Sequence, residues 1–163
     1  DIGQKTAAPL GEFVRSFTRE AYTFSDNTKT VRVAEALQAL WPDYAPVRNA
    51  MGQYRQHVLE RYVPVYRAAL QAYGLVARPG MDIETIGWAF NALHVREALE
   101  FLAGQTTTHT TPDGIEWSMT AWTVVLIIAG AVTDEEGNTF HPMELSERLP
   151  IRPFPTIEPL LAL

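Results

Sequence analysis

At 163 residues and 47% apolar composition, the chain has the length of one domain and can bury a core without disulfide or metal support. Its four tryptophans are accompanied by no cysteine, which excludes a disulfide framework, a thiolate zinc site and a cysteine nucleophile, and fits a reducing cytoplasm. A formal net charge of −6 argues that this chain does not itself hold a polyanion, because nucleic-acid affinity comes largely from Lys and Arg neutralising phosphates.

The opening "DIGQKTAAP", which starts on Asp1, is weakly structured and reads as the start of a processed or trimmed product. A first helix is predicted from near Pro9, with Leu10, Phe13, Val14, Phe17 and Ala21 at helical spacing, ended by "SDN" at 25–27. A second is predicted over 30–41, with Val33, Ala34, Leu37, Leu40 and Trp41 on one side and the Trp41-Pro42 bond at its end. The third begins around Pro46 and carries Val47, Met51, Tyr54, Val58, Tyr62, Val65, Ala69 and Tyr73. Pro64 removes a backbone donor inside it, so a kink or a break into two helices is expected there. Gly74 supplies a stop, and Arg78-Pro79-Gly80 a turn.

Asp82 is the expected N-cap of a fourth helix, from Ile83 to about Leu102, which Gly104 terminates. The polar loop "GQTTTHTTPDG" is expected to be exposed and mobile. A fifth helix is predicted over 115–132; its Thr, Val and Ile content suits a strand, but the length does not. The run "AWTVVLIIAGAV" at 121–132 is too short for a spanning helix of roughly 20 residues, and no membrane association is expected. From Thr133 onward the five prolines predict a tail with at best one short helix near 143–148. The fold class expected is therefore all-α, a single helical bundle.

On the fourth helix Ile83, Ile86, Phe90, His94, Glu97 and Phe101 share one stripe, and Trp88, Asn91, Val95, Ala98 and Leu102 a neighbouring one. Only Thr85, Arg96 and Glu100 form a clearly solvent-like sector, with Arg96 and Glu100 spaced to pair. The fifth helix is apolar nearly all round. Two such helices call for burial on two sides, met most economically by a homodimer through a four-helix bundle, with Val95, Ala98, Leu102, Trp117, Trp122, Val125 and Ala129 at the interface. A helix sandwiched inside one monomer is the other solution.

Met51, Tyr54, Tyr62, Trp88 and Phe90, with His57, Arg61, Asn91, His94 and Glu97 converging on them, have the chemistry of a small-molecule pocket: mostly apolar, with a few orienting polar groups. A satisfied core network, for instance Arg61 with Glu97, accounts for the same residues without a ligand. "HVLE" at 57–60 and "HVRE" at 94–97 each offer two metal ligands one helical turn apart, but carboxylate-bridged bundles use the opposite order, Glu-x-x-His. No nucleophile elbow, phosphate loop or dinucleotide fingerprint appears, and His109 among threonines reads as a solvated loop, so neither an enzyme nor a metal or cofactor site is expected.

An entry helix, a helix ending in Leu-Trp-Pro, the segment "VRNAMGQYRQHVLERYVPVYRAALQAYGL", "RPGMD", a wide apolar helix, "PDGIEW" and a final hydrophobic helix together resemble the C-terminal effector-binding and dimerisation domain of bacterial TetR-type transcriptional repressors. The resemblance covers about residues 10–132. It implies an all-α fold in which the first helix leads to a DNA-binding head, the last two helices make the dimer bundle, and a small, largely apolar effector binds among the preceding helices. The family's N-terminal helix-turn-helix is absent, so DNA would be reached only through a head that this chain lacks. Two other readings stay open: a helical dimerisation or partner-binding module without ligand, and a metal-dependent helical enzyme.

Overall fold

The computed structural model describes residues 8–23, 43–105 and 107–153, and their side chains except at 20–23, 58, 94–99, 101 and 102. The helix expected over 30–41 lies outside the described residues. Among those described, five helices and four short strands follow in the order α1 (Leu10–Thr23), α2 (Ala45–Ala72), β1 (Val76–Ala77), α3 (Ile83–Leu102), β2 (Thr108–Thr110), β3 (Glu116–Ser118), α4 (Met119–Ala131), β4 (Val132–Thr133) and α5 (Pro142–Glu147). The fold is mostly helical, and the all-α expectation is corrected by two small antiparallel sheets, β1 with β4 and β2 with β3.

The helix boundaries follow local chemistry. α2 is continuous through Pro64, so the helix does not break there. It ends in a Schellman motif: Leu75 N–H donates to Leu70 O at 2.9 Å and Gly74 N–H to Gln71 O at 3.1 Å, with Gly74 at φ 64°, a conformation open to glycine at little cost. Asp82 caps α3, its carboxylate accepting from Thr85 N–H at 2.6 Å and from the Thr85 hydroxyl at 2.9 Å. These bonds hold the Asp82 carboxyl below its ordinary range.

The segment expected to start a helix at 115 instead makes a hairpin. Thr111 N–H bonds Ile115 O at 3.0 Å and Gly114 N–H bonds Thr111 O at 2.8 Å, which closes Pro112-Asp113-Gly114 into a three-residue hairpin loop. Register pairs Thr108 with Ser118, His109 with Trp117 and Thr110 with Glu116. α4 then begins at its own N-cap, Ser118, whose hydroxyl accepts from Ala121 N–H at 3.2 Å. At its far end Arg78 caps the exposed carbonyls, donating from Nε to Val132 O at 3.1 Å and from Nη2 to Ala129 O at 3.0 Å.

α4 is the centre of the core and packs against α1, α3 and α5. Leu10, Val14, Leu70, Tyr73, Trp117, Val125, Ile128 and Leu145 belong to one buried cluster. The segment after Thr133 is therefore no tail, at least as far as residue 153. Leu145 on α5 is fully buried, Leu10 N–H bonds Arg148 O at 2.9 Å, Arg148 Nε bonds Tyr73 O at 2.7 Å, and Ile151 N–H bonds Ala72 O at 2.8 Å. Its prolines prevent a long helix, yet extended chain can still bury a side chain where neighbouring backbone supplies hydrogen bonds.

Candidate functional site

α1, α2 and α3 meet in an aromatic wall. Tyr62 and Tyr66 project from α2 one turn apart and stack at 6.2 Å between ring centroids. Phe90 of α3 meets the Tyr66 ring edge-on at 5.3 Å, and Phe17 of α1 meets it at 6.5 Å. Edge-to-face and offset stacks at these separations are favourable geometries for aromatic pairs. Tyr66 fits because α3 carries Gly87 opposite: a Cβ placed there would lie 2.9 Å from Tyr66 Cδ2.

The wall also carries phenol hydroxyls. Among the described residues nothing hydrogen-bonds the hydroxyls of Tyr54, Tyr62 or Tyr66. Burial, and then the neighbouring Tyr62 phenol, raise the Tyr54 and Tyr66 hydroxyls above the ordinary phenol range, so both stay protonated donors at neutral pH. Elsewhere on α2 the exposed Arg55 lays its guanidinium 4.3 Å above the centre of the half-buried Trp88 ring.

The wall unites part of the pocket read from sequence. Tyr62 and Phe90 meet through Tyr66, and Tyr54 lies within electrostatic reach of Tyr62, whereas Trp88 is met by Arg55 and by none of these rings. Met51, Arg61 and Asn91 are half-buried, whereas His57 is exposed and is not drawn into the wall. The side chains of His94 and Glu97 lie outside the described residues. Tyr66 and Phe17 complete the wall without having been singled out for it. Tyr66 had a signal: it stands one turn after Tyr62, and an isolated glycine inside α3, which costs about 1 kcal/mol relative to alanine, marks a close approach.

Of the residues assigned to a dimer interface, Trp117 (3% exposed), Val125 (0%) and Ala129 (6%) are covered within one chain, so their burial needs no second copy. Trp122 is half-buried, stacked with His109 at 5.2 Å and edge-on to Trp117 at 5.3 Å, while the Arg15 guanidinium lies 4.9 Å above Trp117. The hairpin thus supplies the cover that α4 needs on that side. Val95, Ala98 and Leu102 have side chains outside those described. What α4 does leave uncovered is another stripe: Met119 and Leu126, each 42% exposed, with Thr123 and Gly130 at helical spacing between and beyond them.

Among the described residues no three His, Asp or Glu side chains converge to hold a metal ion, and no helix is long and apolar enough to cross a membrane. No known protein family, curated protein or solved structure was found to match the chain.

Proposed function

We propose that this chain is the effector-binding and dimerisation part of a TetR-type transcriptional regulator, in which a small, largely apolar molecule lies against the α1–α2–α3 wall. DNA contact in such a regulator belongs to a helix-turn-helix head outside these 163 residues. The observation that carries the reading is the wall itself: rings from three helices, with phenol hydroxyls that nothing among the described residues hydrogen-bonds, the mix of apolar body and few polar anchors that ligand sites use. The regulatory part rests on the resemblance of the sequence over about residues 10–132 to such domains. Ligand binding acts by favouring one of two helical arrangements, and so one spacing of the two heads.

The second copy docks on the uncharged α4 stripe of Met119, Thr123, Leu126 and Gly130. No Asp, Glu, Lys or Arg occurs from Trp117 to Thr133, so nothing on this face opposes self-association. Nile red, an uncharged fluorescent probe, tests the ligand part: one saturable site per chain, weakened about tenfold or more by Tyr66→Ala, is expected. Analytical ultracentrifugation tests the second part. Twice 18.2 kDa is expected for the wild type and 18.2 kDa for Leu126→Glu, which places a charge in the contact. A dimer that takes up no probe is a helical dimerisation module without ligand, and a monomer that takes none leaves the regulatory reading without support.

A further inference from the structure

We infer that the β2–β3 hairpin is a flap that parts from α1 while the rest of the fold stays closed, because the seam between them buries two hydrogen-bond donors that nothing accepts. At this seam the Arg15 guanidinium lies 4.9 Å above the Trp117 ring. Trp117 is 3% exposed, and its Nε1 is sealed from solvent with no hydrogen-bond partner; the same holds for Nε of Arg15. Both donors belong to side chains in contact with each other. Asp113 is within electrostatic reach of Arg15 but makes no hydrogen bond to it; its Oδ1 accepts from the Thr111 hydroxyl at 2.5 Å and from Ile115 N–H at 3.3 Å. What the two side chains do meet is aromatic, Arg15 over Trp117 and Trp117 edge-on to Trp122, and ring faces are weaker acceptors than water.

Each donor sealed away without an acceptor weakens the closed seam roughly fivefold to a hundredfold, and opening returns both N–H groups to water. The hairpin has little else buried to hold it. Of residues 107–116 only Thr111 is buried and His109 half-buried, and the others are exposed. The Thr111 hydroxyl is bonded within the hairpin, to Asp113 Oδ1 and Ile115 O, so the hairpin keeps these bonds as it moves. The Trp117 ring, a member of the buried cluster, keeps the closed state the resting one. On the other side of the seam α1 is anchored, by Leu10 N–H to Arg148 O and by the Tyr73 hydroxyl to Ala8 O, so the hairpin is the part that yields. Local opening belongs to such places, where buried contacts are few and hydrogen bonds across the contact are missing. The flap stands independently of the ligand wall.

Hydrogen exchange of the whole chain, followed by nuclear magnetic resonance, reads the seam directly at the Trp117 indole N–H. That signal is assigned by Trp117→Phe or, should this variant not fold, by elimination through Trp41→Phe, Trp88→Phe and Trp122→Phe. Its protection is expected to be about tenfold or more below that of the backbone N–H of the fully buried Val125 in α4, and to stay constant in low urea while that of Val125 falls. Arg15→Lys keeps the charge and sets a methylene where Nε stood, and Arg15→Met removes both. Each should raise the protection of the Trp117 indole relative to Val125 about threefold or more, because each removes an orphaned donor from the seam. Equal protection and equal urea dependence at the two N–H groups would mean that Trp117 opens only with the whole fold, and the flap falls. Relative protection unchanged or lowered in either Arg15 variant would mean that the donor is satisfied in the closed seam, by a held water or ion, and overturns the inference as well.

Discussion

Leu145→Ala measures whether the proline-rich segment after α4 belongs to the cooperative fold. Leu145 is 0% exposed and sits in the buried cluster with Leu10, Trp117 and Val125. The change deletes three carbons, worth about 2.4 kcal/mol at about 0.8 kcal/mol each, before any penalty for the space left behind. The site is poorly placed to collapse into that space, because the chain on its C-terminal side is fixed by Leu10 N–H to Arg148 O at 2.9 Å and Ile151 N–H to Ala72 O at 2.8 Å. A loss of about 3 kcal/mol follows, within the range of buried leucine truncations, or a fall of roughly 6–12 °C in Tm for a chain of this size. Urea unfolding followed by far-ultraviolet circular dichroism should show a lower midpoint at unchanged m-value. Leu149→Ala, at a side chain 59% exposed, should stay within about 0.5 kcal/mol of the wild type. If Leu145→Ala moves no more than Leu149→Ala, residues 142–153 lie outside the folding unit and the packing of α5 on α1 and α4 is refuted.

Gly11→Ala and Gly52→Ala should differ in sign. Both glycines lie within helices, where alanine gains about 1 kcal/mol, but a Cβ on Gly11 would lie 2.7 Å from Trp117 Cη2 and 2.9 Å from Ser146 Cβ, whereas one on Gly52 meets nothing within 4 Å. Gly52→Ala should therefore raise the urea midpoint and Gly11→Ala lower it, by up to about 2 kcal/mol once overpacking is set against propensity; equal shifts would deny the close approach of α1 to the hairpin. Tyr66→Phe should change alkaline stability. The folded-state pKa of Tyr66 is raised, so the neutral phenol contributes stability that is fully present below the ordinary value of about 10 and is lost as pH rises above it. Urea midpoints from pH 8 to pH 11 should fall more steeply for the wild type than for Tyr66→Phe, and parallel curves would contradict the burial of this ring.

The helical frame was legible because its punctuation is local. Gly74 in its Schellman motif, Asp82 bonded to Thr85, and Gly104, beside which Gln105 N–H returns to Glu100 O at 2.9 Å, each act within a few residues, and each was readable where it stands. "TPDGI" at 111–115 carries a hairpin signal of the same kind, but the apolar run behind it favoured one long helix. β1 and β4 are two residues each and exist only because Val76 faces Thr133 across the fold, which no window of sequence contains. The same limit applies to α4. An apolar surface all round announces burial on all sides without saying by what, and here much of the cover comes from the hairpin, through Trp117 and Trp122, and from α5, through Leu145. In the site, helical spacing led from Tyr54 to Tyr62 and on to Val65, past Tyr66. The ring that joins three helices was set by Gly87 on the opposing helix, a pairing written in tertiary contact.

The aromatic wall is joined to the start of α1 by contiguous contacts. Phe17, against Tyr66, stacks on Phe13 at 5.9 Å; Phe13 leans on Tyr73 at 6.2 Å; and the Tyr73 hydroxyl donates to Ala8 O at 2.9 Å, just before the first residue of α1. That hydroxyl keeps its proton, since burial and then the nearby charge of Glu12 push Tyr73 up to about 12. Arg148 binds the same tyrosine's carbonyl and passes its own carbonyl to Leu10 N–H, so the C-terminal segment grips the α1 entry from the other side. Contiguity alone transmits nothing; coupling requires that the contacts have two arrangements which a ligand weights unequally. A second arrangement of this kind would have to alter the edge-on contact of Tyr66 with Phe17, since Tyr73 is tied at both its hydroxyl and its carbonyl. In the proposed regulator a ligand on Tyr66 would therefore act on the tilt of α1 about its anchored beginning, the point from which the chain leads towards the head.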